Sequence, residues 1–107
     1  MKPPFQYLNI LGVEYSVFWY LIEIPGTEEG EWGNCDNDRR IINVRLSKDH
    51  WRNVDTVLHE IGHAIHWEYQ MSETENEESF VSKLASGYCK IIQINTHLWE
   101  FIGKGYT

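Results

Sequence analysis

Two cysteines, three prolines and nine basic residues are all that this 107-residue chain has of those types. Each scarcity excludes something. A secreted domain of this size is normally stapled by several disulfides, and Cys35 with Cys89 could form only one. The pair therefore reads as free thiols in a cytoplasmic protein. Sixteen Asp and Glu outnumber the Lys and Arg, for a formal net charge of −7, so the basic footprint of a nucleic-acid binder is missing. No stretch reaches the roughly 18–20 apolar residues that span a bilayer. The most apolar segment, FQYLNILGVEYSVFWYLIEI, is broken by Gln6, Asn9, Glu14 and Glu23. No charged-then-apolar leader opens the chain. Repeats, low-complexity tracts and internal boundaries are also lacking, so residues 1–107 read as one domain.

Against these absences stands a composition that is 42% hydrophobic and 14% aromatic, which marks a globular chain able to bury a core. Residues 5–11 alternate as a strand does and stop at Gly12. Residues 14–24 are aromatic and β-branched and form a longer second strand. Pro25-Gly26 punctuates the chain, and the turn-rich GTEEGEWGNCDNDRR reads as a loop with at most a short strand near Trp32. RIINVRL, from Arg40 to Leu46, is a third strand. Ser47 reads as the N-cap of a helix running from about Lys48 to Gln70, with Trp51, Val54, Leu58, Ile61 and Ile65 as its buried stripe. A second helix is expected from about Glu75 to Ile94, with Phe80, Val81, Leu84, Tyr88, Ile91 and Ile92 facing inward. Thr96 caps a short last helix that ends at Gly103 and Gly105. Strands first and helices after give an α+β fold, with a small antiparallel-rich sheet of about three strands, two main helices and a short C-terminal one.

The first of those helices carries His59-Glu60-Ile61-Gly62-His63, an HExxH pattern and a zinc signature. Residues four apart lie about 40° apart around a helix and one turn apart along it, so two imidazoles at that spacing reach one ion. Zinc suits imidazole nitrogen. Glu60 lies about 100° around from His59, outside the same coordination sphere but placed to reach a water on the metal. With His59 at 0°, the apolar stripe falls beyond about −80°, so the histidines occupy a face of their own beside the core.

Two ligands do not complete a zinc site, and catalytic zinc takes three from the protein. The extension HExxHxxGxxH is absent, since His66 and Tyr69 stand where its Gly and last His would be. The acidic run opening the second helix supplies the choices. Thr74 and Glu77 fit a capping box, which gives Glu77 a structural role. Glu78 is favoured as the third ligand, with Glu77 as the competitor. His66 shares the histidine face but lies about 10.5 Å along the axis from His59, too far for one ion. It reads as a cleft-lining residue or a plain surface or packing histidine, and Asp55 as a solvent-facing residue ahead of an acceptor for a ligand imidazole. His50 and His97 fit no pattern and read as structural.

VLHEIGHAIHWEY followed by EESFVSKLASGY resembles the small zincin-type metallopeptidases of phages and prokaryotes, compact relatives of the gluzincins. The resemblance covers roughly positions 40–95. It implies a minimal zincin-like fold and a zinc-dependent peptidase, with His59, His63 and Glu78 on Zn2+ and Glu60 as general base. It also implies an extended peptide substrate laid beside an edge strand at Ile41–Arg45, with His66, Tyr69, Tyr88 and Tyr106 as candidate oxyanion donors. The competing expectation is a catalytically inactive zinc-binding regulatory or interaction domain. Neither nucleic acid nor membrane is expected as a partner.

Overall fold

Ile10 and Val13 oppose each other across Leu11-Gly12, whose φ angles are 56° and 88°. Two consecutive residues with positive φ make the tight turn whose twist matches that of a hairpin. They join β1 (Tyr7–Ile10) to β2 (Val13–Tyr20). The computed structural model describes residues 3–27, 30–72 and 76–104. Two further strands follow, β3 (Gly33–Asp36) and β4 (Ile41–Arg45), then helices α1 (His50–Glu68), α2 (Glu77–Ile94) and α3 (Thr96–Gly103). The expected α+β class is what the structure shows.

The sheet has four strands in the order β1-β2-β4-β3. β1 pairs antiparallel with β2, β3 antiparallel with β4, and β2 parallel with β4. This corrects the placing of Ile41–Arg45 as an edge strand. β4 lies inside the sheet with hydrogen-bonded neighbours on both sides, because the segment read as a loop supplies β3 to cover its outer edge. The true edges are β1 and β3. The β1 edge is closed by side chains. Asn95 accepts from Asn9 N (2.8 Å) and donates to Asn9 O (2.7 Å), while His97 Nε2 meets Tyr7 O at 2.7 Å. The β3 edge carries no such cover among the described residues.

Leu8, Ile10, Tyr15, Val17, Ile42 and Val44 point from one face of the sheet into the core. From α1, Val54, Val57, Ile61, Ala64 and Ile65 meet them, and Ile91, Leu98 and Phe101 close the end. The buried arc of α1 therefore sits somewhat further round towards Glu60 than the expected stripe. Trp51, expected in that stripe, is 45% exposed and Leu58 is half-buried, whereas Asn53, Thr56 and Glu60 are buried. α2 contributes less than its pattern promised: Phe80 and Val81 are exposed, and only Gly87 and Ile91 are fully buried. Gly87 is required there, because a Cβ would lie 2.9 Å from Ile65 Cγ2.

The helix ends also depart from expectation. Asp49, not Ser47, caps α1 by accepting from Trp51 N. Ser47 instead closes the preceding loop, its N–H donating to Asn53 Oδ1 (2.7 Å) and its C=O accepting from Asn53 Nδ2 (3.0 Å). At the other end Gln70 takes φ 53°, Gln70 N donates to Trp67 O and Met71 N to His66 O. That is a Schellman ending with glutamine in the left-handed position. Asn76 caps α2, accepting from Ser79 N at 2.8 Å. Thr74, the expected cap, and Glu73 and Glu75 lie outside the described residues. Thr96 caps nothing; it is the first residue of α3, which follows Asn95. His50 and His97 are structural as expected, with His50 Nε2 3.1 Å from Ile102 O. Cys35 and Cys89 are free.

Candidate active site

His59 and His63 present their rings on the outer side of α1, with centroids 4.9 Å apart and planes nearly perpendicular. Their Nε2 atoms face each other at 3.2 Å. Two nitrogens bound tetrahedrally to one zinc at about 2.0–2.1 Å would stand roughly 3.3–3.4 Å apart. The observed separation is a hydrogen-bond distance between one protonated and one bare ring nitrogen, and it is also close to what shared imidazole ligation needs. Metal binding needs the neutral imidazole. Burial, with the neighbouring His59 and His66, holds His63 below the usual histidine range, which favours that form.

Glu60 occupies the margin between this face and the core. It is 4% exposed, against Gly33 of β3. A Cβ at position 33 would lie 2.7 Å from Thr56 Cγ2 and 3.0 Å from Glu60 Oε2, so glycine there is what lets the helix and strand close on this carboxyl. No hydrogen bond joins the Glu60 side chain to another described residue. Burial pushes its carboxyl up from 4.5 to about 7, opposed by His59 and helped by Glu31. A buried carboxyl without a hydrogen-bonding partner is costly. Its position beside two converging imidazoles is where such a cost has a chemical use.

The third ligand is less well placed. Glu78 is exposed on the first turn of α2, where Ser82 Oγ donates to its Oε1 at 3.4 Å. Among the described residues no group of three or more His, Cys, Asp or Glu gathers closely enough to hold an ion. Helical phase separates the two glutamates. With Leu84 at 0°, Tyr88 lies near 40° and Glu77 near 20°, while Glu78 lies near 120°. Leu84 and Tyr88 line the space beside His59 and His63. By this phase Glu77 stands nearer the face of Leu84 and Tyr88 than Glu78 does, and both glutamates are exposed.

Two cavities meet at His59. One, of about 310 Å³, lies towards β3 and includes Trp32, Gly33, Arg52 and Glu60. The other, of about 520 Å³, lies between the helices and includes His63, His66, Phe80, Leu84 and Tyr88. His66 lines it with its ring 6.3 Å from that of Phe80, as a cleft-lining residue. Tyr88 donates its hydroxyl to Leu58 O, which leaves it committed to α1 rather than free as an oxyanion donor. It also explains the glycine of HEIGH, since a Cβ on Gly62 would lie 2.9 Å from Tyr88 Oη. Tyr69 Oη accepts from Lys90 Nζ at 3.5 Å, away from this cleft, and Tyr106 lies outside the described residues. Asp55 is exposed and shares the smaller cavity with His59 without a hydrogen bond to it.

Trp32, Gly33, Thr56 and Arg52 were not singled out from the sequence. Only Gly33 left a signal, as a glycine in a short strand often marks a close approach. No family model, no curated protein and no solved structure matches this chain.

Proposed function

We propose that the protein is a zinc-dependent metallopeptidase of the zincin type, with His59 and His63 as two zinc ligands and Glu60 as general base. The observation that carries this reading is the pair of Nε2 atoms 3.2 Å apart beside a buried carboxyl that no described residue hydrogen-bonds. Zinc held by these imidazoles would supply Lewis acidity towards water and a peptide carbonyl. The remaining roles belong to the chain. Glu60, beside that water, would take a proton from it and return it to the leaving amine. Gly33 leaves room for that carboxyl against β3.

An extended peptide pairs with β3 rather than with Ile41–Arg45. Trp32 O accepts from Arg45 N, so alternation directs the main-chain groups of Gly33 and Cys35 to the open edge. A peptide added there runs past Glu60 and His59. For the third ligand, Glu78 and Glu77 are the candidates, both exposed at the start of α2. The free thiols suit the expected cytoplasmic location.

Zinc content and peptide cleavage, measured together on wild type and Glu60→Gln, test the reading. The expected result is stoichiometric zinc in both proteins and cleavage by wild type alone. Stoichiometric zinc without cleavage by either would favour a zinc-binding interaction domain. Equal cleavage by both would remove Glu60 as the base. Of Glu78→Gln and Glu77→Gln, the one that removes the third ligand should lower zinc affinity by more than about ten-fold, and the other should leave it nearly unchanged.

A further inference from the structure

The cavity beside β3 ends in an arrangement that proton transfer at Glu60 does not require. The guanidinium carbons of Arg45 and Arg52 lie 4.8 and 4.7 Å from the centre of the Trp32 ring. Neither arginine forms an ion pair with a described residue. Arg52 lines the same cavity as His59 and Glu60. It also stands in the first turn of α1, just after Asp49, whose carboxylate caps that end of the helix by accepting from Trp51 N. Two cations thus share one indole in a protein of net charge −7. Stacking on the ring fixes the plane of the guanidinium while leaving its N–H groups free to donate. Glu31 and Asp55 share the cavity, but neither comes within ion-pair distance of Arg52.

We propose that Arg52, held over the Trp32 ring and supported by the charge of Arg45, is a carboxylate-binding subsite for the peptide substrate. The proposal rests on the peptidase reading and adds a substrate class to it. Arg52 and His59 are seven positions apart, which puts them on one face of α1 about 10.5 Å apart along the axis. Extended chain covers that distance in about three residues. The preferred substrate is therefore a peptide with an acidic group about three residues from the cleaved bond. An Asp or Glu side chain and a C-terminal carboxylate offer the same chemistry.

Binding tests the subsite without requiring cleavage. Ac-Gly-Gly-Glu-Gly-Gly-NH2 and its Gln counterpart are titrated into the full-length protein, with the Trp32 indole and Arg52 side-chain NMR resonances as readouts. Ac-Gly-Gly-Gly with a free C-terminus, against its amide, distinguishes the second source of the carboxylate. The Glu peptide should bind roughly ten-fold tighter than the Gln peptide at low salt. Arg52→Gln should erase that ratio without moving the unfolding midpoint, and Arg52→Lys should keep part of it. A ratio of one in wild type, or a preference that survives in Arg52→Gln, would overturn the proposal. A lowered midpoint together with an intact preference would reduce the stack to a structural clamp and overturn it too. A peptide mixture treated with the zinc-loaded enzyme gives the second arm. Asp or Glu should be enriched about three residues from the cut in wild type only. If nothing is cut but the charge-dependent binding persists, the peptidase reading fails and the subsite stands. If cutting shows no acidic preference, the subsite fails and the peptidase stands.

Discussion

Replacing Gly33 by alanine tests how tightly the site is built. The new Cβ would lie 2.7 Å from Thr56 Cγ2, 3.0 Å from Glu60 Oε2 and 3.1 Å from Asn43 O. These neighbours differ in how readily they give way. The Glu60 oxygen ends a flexible side chain and can swing. Asn43 O is backbone of an interior strand and cannot move without disturbing the β3–β4 pairing. Thr56 cannot simply rotate, because its hydroxyl donates to Arg52 O at 2.9 Å. Turning the methyl away gives up that bond, at about 1 kcal/mol. With the remaining overlap, the substitution should cost about 2–3 kcal/mol, within the range for overpacking. Urea denaturation of metal-free protein measures it. The second variant, Gly33→Ala with Thr56→Ser, deletes the methyl in the shortest contact and keeps the hydroxyl. It should recover about 1 kcal/mol beyond the cost of Thr56→Ser alone, leaving the two longer contacts strained. A cost below about 0.5 kcal/mol for Gly33→Ala, or no coupling with Thr56, would refute the close approach of β3 to α1 on which the Glu60 environment depends.

Three further outcomes follow from other parts of the structure. Asn95→Ala removes the bonds to Asn9 N and O and to Ile91 O; because Asn9 can turn to water and Ile91 O keeps Asn95 N, the loss should be about 2 kcal/mol by denaturant titration. Gln70→Gly relieves the left-handed strain at the end of α1 and should raise stability by about 1 kcal/mol, or Tm by about 5 °C, in calorimetry. Burial, with help from the charges of Glu60, Asp36 and Glu68, pushes the Cys35 thiol up to about 12, so its labelling by iodoacetamide should rise about ten-fold per pH unit from pH 7 to 10. At pH 8 mass spectrometry should therefore find native protein labelled at exposed Cys89 first, and equal rates at the two thiols would contradict the buried setting of Cys35.

Local periodicity carried much of the fold, and pairing carried the rest. The extents of α1, β2 and β4 were legible to within a few residues, since each has an uninterrupted pattern with its own period. What the pattern left open was which strand lies beside which. GNCD carries no apolar alternation, so it reads as loop; yet it covers the outer edge of β4 and turns an apparent edge strand into an interior one. Its inward side chains are a glycine and a cysteine because Thr56 and Glu60 already occupy the space beneath. A strand selected for leaving room has no hydrophobic signature.

The same reasoning explains why HExxH was legible and the rest of the site was not. The two histidines and Glu60 lie on one helix, so a fixed rise and rotation convert their spacing into geometry. The side chains around them arrive from β3, the preceding loop and α2, and their phase depends on how those elements dock. Glu78 was oriented by its distance in sequence from Val81, which is 52% exposed, and both Glu78 and Glu77 are exposed at the start of α2. Set by Leu84 and Tyr88 instead, Glu77 has the nearer phase. The capping role that argued against Glu77 also falls away, because Asn76 caps the helix and leaves the Glu77 carboxylate uncommitted to it. The choice between the two glutamates therefore turns on which residues of α2 touch α1, and zinc affinity in the two single variants reads that contact directly.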